Sequence, residues 1–129
     1  MQIVKKDSLP SVRIDGEVAA RIFSGAKYDN VSVSAFIVDV APGIGPNRHQ
    51  HPYEEIFVIT EGTVELEAGG EVLHATPEEI VIVPAGVPHR FSAAGDGRAQ
   101  MVNIHAAAEV VTEFVPDASD SSSYEYNHA

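Results

Sequence analysis

Short apolar runs rich in Val, Ile and Phe are separated at near-regular spacing by Gly, Pro, Asn and Asp along most of this chain. The runs span 18–23, 31–40, 56–60, 63–68, 71–75, 80–83, 89–93 and 99–105. β-branched and aromatic side chains lose χ1 freedom in a helix and fit a pleated surface well. Runs this short with turn residues between them predict an all-β sandwich or barrel rather than alternating strands and helices. No stretch of ten residues carries a clear 3.6-residue period, and the nearest, 106–115, contains β-branched residues throughout. Gly69-Gly70, between Val64 and Leu73, predicts a hairpin because glycine reaches positive φ without steric cost. Pro42-Gly43, Glu61-Gly62 and Gly95-Asp96-Gly97 mark further turns.

Several runs are apolar on both parities: Ile56 and Val58 alternate with Phe57 and Ile59. One parity can face a barrel interior, and the other needs cover from N-terminal strands, a second sheet or another subunit. A homodimer is therefore expected. With 129 residues the chain is one domain, with the barrel over residues 1–115. From residue 116 aliphatic side chains give way to Ser, Asp and Tyr, so 116–129 is expected as a flexible tail, with His128 a solvated residue. Cysteine is absent, which removes disulfide and thiolate chemistry. A net charge of -11 without any basic cluster repels phosphate backbones, so nucleic acid is not an expected partner. No run approaches the roughly 20 apolar residues of a membrane span and no secretory leader is visible, so a cytoplasmic location is expected.

Function is concentrated in two stretches, around His49, His51 and Glu55 and around His89. Three imidazoles and a carboxylate suit Fe, Mn, Ni, Co, Cu or Zn. In a strand, His49 and His51 leave the same face roughly 6.5 Å apart. An unbroken strand would carry Glu55 about 20 Å from His49, so the chain must turn, and Pro52 is the place. His49 and His51 are expected near the end of one strand and Glu55 on its neighbour. The two prolines of Pro84-Ala85-Gly86-Val87-Pro88 stiffen a turn that delivers His89 to the start of another strand. His74 and His105 belong to no spaced group and are expected to be ordinary hydrogen-bonded or surface residues. Arg48, Gln50 and Tyr53 are candidates for the rim of a pocket, and Phe57, Phe91, Met101 and Asn103 for its lining.

In these two stretches the chain resembles the cupin superfamily, in particular its small single-domain metal-binding members. The first cupin motif is Gly, five residues, His-x-His, three or four residues, Glu, six residues, Gly; Gly43, His49, His51, Glu55 and Gly62 meet it. In the second, Pro84, Gly86 and His89 match, while Glu78 stands where glycine is expected and Ala93 where asparagine is. The resemblance implies a double-stranded β-helix (jelly-roll) barrel, a divalent transition metal on His49, His51, Glu55 and His89, and frequent dimers that pack or exchange N-terminal strands. Up to two positions of a six-coordinate ion would stay open to a small molecule. The expected function is an enzyme acting on a small oxygenated organic molecule, of oxygenase, isomerase, cyclase or decarboxylase type. The alternatives are a non-catalytic binding or sensing module and a barrel whose metal is only structural.

Overall fold

The computed structural model of the protein describes residues 1–118, 120 and 124–127. The strands are β1 (Ser11–Ile14), β2 (Glu17–Phe23), β3 (Ser34–Val40), β4 (His49–Gln50), β5 (Glu55–Glu61), β6 (Val64–Ala68), β7 (Glu71–Ala75), β8 (Ile80–Val83), β9 (His89–Ala93), β10 (Ala99–His105), β11 (Glu113–Phe114) and β12 (Tyr124–Asn127). Among the described residues the helical segments are two 3-10 turns, Lys6–Ser8 and Gly25–Lys27. No helix of the described residues is long and apolar enough to cross a membrane. The strands form two sheets, ordered β12-β1-β2-β3-β10-β5-β8 and β11-β4-β9-β6-β7. The fold is the all-β double-stranded β-helix expected from the sequence.

All eight expected runs form strands, and β7 to β10 match them to the residue. The run 31–40 shortens to β3, leaving Val31 and Val33 exposed before it. β6 and β7 pair across Gly69-Gly70, both at positive φ, as the hairpin reading requires. Within the segment expected as a tail, Tyr124–Asn127 pairs antiparallel with β1. Its composition offered no core to join, but a sheet edge recruits a strand through backbone hydrogen bonds alone. His128 lies outside the described residues.

Inward parity decides both core and site. β5 buries Glu55, Phe57 and Ile59, β9 buries His89, Phe91 and Ala93, and β10 buries Ala99, Met101, Asn103 and His105. Val64 and Leu66 meet them from the five-stranded sheet, and Val12, Ile14, Val38 and Val40 from the seven-stranded one. Phe57 has no exposed surface and stands edge-on to Phe91 across the sheets, ring centroids 5.8 Å apart. A side chain buried this completely contributes about 1.5–3 kcal/mol. On each of β5, β9 and β10 one end of the buried stripe is apolar and the other end is Glu55, His89 or His105.

Two glycines permit close backbone approach, Gly45 on the side of the site and Gly62 at the opposite end of β5 and β10. A Cβ on Gly45 would strike the carbonyl oxygen of Phe91, so only glycine lets this loop lie against β9 just before His49. Gly62 has φ +78° and a Cβ there would strike the carbonyl oxygen of Arg98, so the β5–β6 turn passes directly against the chain entering β10.

The outward parity of the larger sheet is also apolar. By register, Ile82, Ile56 and Ile104 form one row across β8, β5 and β10, and Ile80, Val58 and Val102 form a second. Ile80 and Ile82 are 64% and 66% exposed. If a second copy covers these rows, Ile82→Glu is expected to convert a dimer into a monomer in size-exclusion chromatography with light scattering. An unchanged mass for the variant, or a wild-type protein that is already monomeric, would remove that cover.

Candidate metal centre

His49 opens β4 opposite His89 at the start of β9, in direct register within the smaller sheet. The chain then breaks at Pro52 and crosses to the other sheet, where Glu55 opens β5 between β10 and β8. Glu55 is thus not on a strand hydrogen-bonded to β4, as the spacing suggested, but on the facing sheet. β4 has only two residues and pairs with β9 and β11, which leaves no edge for β5. The 84–88 turn is tied to the first stretch by the Gly86 N–H, which donates to the His51 carbonyl at 2.8 Å.

His49, His51, Glu55 and His89 are all buried, and one donor atom from each lies within 4.8 Å of the others. Backbone carbonyls fix the three imidazoles: His49 Nδ1 donates to Asn47 O, His51 Nδ1 to Val111 O and His89 Nδ1 to Val87 O, each at 2.8 Å. A carbonyl only accepts, so each Nδ1 carries the proton and each Nε2 presents its lone pair. His51 and His89 both place Nε2 3.0 Å from Glu55 Oε1. The His51 contact is off hydrogen-bond angle, and His51 Nε2 is a buried atom without a hydrogen-bond partner. Imidazole lone pairs gathered on a carboxylate oxygen repel one another unless a cation sits among them. The cluster therefore fits a metal site, with the outer hydrogen bonds that orient imidazole ligands already formed.

His105, outside any spaced group in the sequence and expected to be an ordinary hydrogen-bonded or surface residue, belongs to this cluster. It lies opposite Glu55 in the β10–β5 register, is 2% exposed, and places Nε2 3.3 Å from Glu55 Oε2. Tyr53 fixes its tautomer. The Tyr53 hydroxyl accepts from the Val111 N–H at 3.2 Å and donates to His105 Nδ1 at 2.6 Å. His105 therefore carries its proton on Nε2 and donates it to Glu55, the opposite tautomer to the other three. It holds the carboxylate and does not offer a lone pair to a metal. The inward parity of β10, readable from Met101, Asn103 and His105, was the available clue. His74 does stay at the surface, beside Glu65 at 3.3 Å.

The electrostatics follow from burial. Burial, reinforced by the neighbouring His89, pushes the His49 pKa down from 6.5 to about 4, against the opposing Asn47 hydrogen bond. Burial alone would raise the Glu55 carboxyl, but the His105 N–H, joined by His51 and His89 when these rings are protonated on Nε2 in the metal-free protein, outweighs it and holds the group well below the usual carboxylate range. Burial and the charge of Glu55 push the Tyr53 hydroxyl up to about 12, past the opposing Val111 contact, so it keeps the proton it donates. Unfolded histidine titrates near 6.5, so between pH 6.5 and 4 the unfolded chain binds the extra proton and stability falls as pH falls. Glu55 adds to the loss at lower pH, because its depressed pKa stabilises the fold only while the unfolded carboxyl is ionised. The melting temperature of metal-free protein is expected to drop steadily from pH 7 to 4, and a flat profile would contradict a neutral buried His49.

The other candidates separate into three groups. Phe91 and Asn103 line the cavity beside the cluster, together with Phe36, Pro46, Thr112 and Phe114. Phe57 and Met101, 0% and 1% exposed, lie in the core beneath it. Arg48 is engaged outside, with Glu67 at 2.5 Å and Asp117 at 2.6 Å, and Gln50 pairs with Glu113 on β11.

A cupin domain family model matches residues 36–105, more than half of the chain and all five clustered side chains. The protein belongs to the cupin family. Over 62 residues it is 37% identical to a protein named polyketide synthase CurC from Streptomyces cyaneus, a match covering 47% of this chain and 40% of that protein. Over 69 residues it is 38% identical to a 5-nitrosalicylic acid 1,2-dioxygenase from a Bradyrhizobium species, covering 54% of this chain and 33% of the relative. The chain thus spans less than half the length of either. A cupin-like protein from Thermotoga maritima shares the fold over 93% of this chain and 92% of its own, with a TM-score of 0.70 at 16% identity.

Proposed function

We propose that His49, His51, Glu55 and His89 bind one divalent transition metal ion and that the protein is a metal-dependent enzyme acting on a small oxygenated organic molecule. The observation that carries this reading is the set of three Nδ1–carbonyl hydrogen bonds, which aim three Nε2 lone pairs at a buried carboxylate. The cluster also opens into a cavity lined by apolar side chains, where a purely structural ion would need no access. The names of the two relatives, a dioxygenase and a polyketide synthase, agree with chemistry on oxygenated substrates.

A bound ion would act as a Lewis acid on a carbonyl or enolate oxygen, or would support dioxygen chemistry if it is iron. The protein's own contribution is arrangement. Backbone carbonyls hold the imidazole tautomers, His105 holds the carboxylate, and the β1–β3 wall keeps water from the apolar part of a substrate. Elemental analysis of protein purified without added metal, followed by turnover assays on a panel of enols, phenols and keto acids with and without air, tests the reading. One ion per chain and formation of a product support it. Tight binding without product would favour a sensing module, and the absence of any bound ion would refute the metal centre itself.

A further inference from the structure

The cavity beside the cluster is selective in ways that the four donors are not. From His49, His51 and Glu55 it runs along a wall of Val12, Ile14, Val38 and Val40. Neither lysine nor arginine is among its lining residues. Arg48, the nearest cation in sequence, is held by Glu67 and Asp117. An anionic group would therefore find no side-chain cation away from the metal cluster itself, and a polyol would lose its hydration against aliphatic walls.

Beyond the cluster, polar side chains in the lining are Thr112, beside His51 Nδ1 at 3.4 Å, and Asn103. Asn103 lines the cavity, is 2% exposed, and its Oδ1 has no hydrogen-bond partner. Buried carboxamides are nearly always paired, so this one is set up to meet a ligand. Asn103 precedes His105 by two residues on the inward face of β10, and the pair lies opposite Phe57 and Glu55. The amide is thus one pleat, about 7 Å, along the strand from the level of the Glu55 carboxylate. That spacing matches two oxygens on opposite sides of a rigid ring system. The cavity is open at its mouth, so a flat ring compound can enter from solvent and lie along the aliphatic wall.

From these features we infer that the cavity takes a neutral, largely apolar ring compound with two oxygen functions. One oxygen lies against the His49, His51, Glu55 and His89 cluster, and a hydroxyl about one ring system away bonds to Asn103. This rests on the metal reading above, so the two must be tested apart. Calorimetric titration of the metal-free full chain with Zn(II) comes first. The zinc-loaded protein is then titrated with 1,5-dihydroxynaphthalene, with 1-naphthol, which lacks the far hydroxyl, and with glucose 1-phosphate.

The diol is expected to bind about tenfold more tightly than 1-naphthol, the worth of one hydrogen bond to a buried group, and the sugar phosphate not measurably. In Asn103→Leu the difference between diol and naphthol should vanish while zinc affinity stays unchanged. Equal affinities of the two naphthalenes for the wild-type protein, or preference for the sugar phosphate, would overturn the ligand class and leave the metal centre standing. Failure to bind zinc would overturn both. The wild-type comparison decides the matter even if the leucine variant does not fold.

Discussion

Replacing Glu55 by glutamine is expected to lower metal affinity by roughly three orders of magnitude, beyond the ten- to hundredfold loss that follows removal of an outer hydrogen bond. Glutamine keeps the size of the side chain but removes the anion of the candidate donor set. The charge matters more here than at a surface site, because Glu55 is 2% exposed and little water is left to solvate the ion in its place. The variant keeps one oxygen, which can accept from His105 Nε2, now 3.3 Å from the carboxylate, only by turning the NH2 group toward the other imidazoles. In that orientation the amide N–H groups meet imidazole lone pairs, which satisfies His51 Nε2 without a metal and competes with it further. Competition titration against a chelator of known affinity measures the effect, with His74→Ala, altered at an exposed position beside Glu65, as the control. Glu55→Gln protein that keeps its metal to within tenfold of wild type would show that the carboxylate is not a ligand.

The parts of the fold that the sequence exposed are those with an internal period. β10 alternates in burial over seven residues and β5 over five, and a parity that runs from Phe57 to Glu55 or from Met101 to His105 assigns core and site together. β4 and β11 have two residues each, too few for any period, and they exist because each finds a partner strand within the smaller sheet rather than through a propensity of their own. The donor set was legible because three histidines and a glutamate stood at fixed spacing in two stretches. Its support was not. The carbonyl that orients His51 belongs to Val111, 60 positions away, and the hydroxyl that orients His105 belongs to Tyr53, 52 positions away. The first contact, and the Val111 N–H that orients the Tyr53 hydroxyl, depend on the segment after β10 folding back over the site, and a segment without hydrophobic period gives no sign of where it will lie. Glu55 was assigned to an adjacent strand because spacing along the chain shows that a turn is needed and is silent on whether the turn is a hairpin or a crossing between sheets.

Removing the Tyr53 hydroxyl tests whether the second layer matters as the hydrogen bonds imply. Tyr53→Phe is expected to weaken metal binding about ten- to hundredfold with the stoichiometry unchanged. Without the O–H, nothing holds the proton of His105 on Nε2, and the ring can turn its lone pair toward Glu55 instead of its N–H. The carboxylate would then lose a donor and face one more lone pair, while His51, stacked on the Tyr53 ring at 5.2 Å, keeps its packing because the ring remains. A structural account alone predicts loss of stability in the variant but no change at the ion. Cobalt(II) substitution separates the two, since its visible absorption reports the ligand geometry directly. A shifted spectrum and weaker binding in Tyr53→Phe, with partial recovery in His105→Gln relative to His105→Ala, would follow from a donor that must point at Glu55, because a glutamine amide can supply that N–H and alanine cannot. A cobalt spectrum and affinity indistinguishable from wild type in Tyr53→Phe would reduce the Tyr53–His105–Glu55 chain to packing.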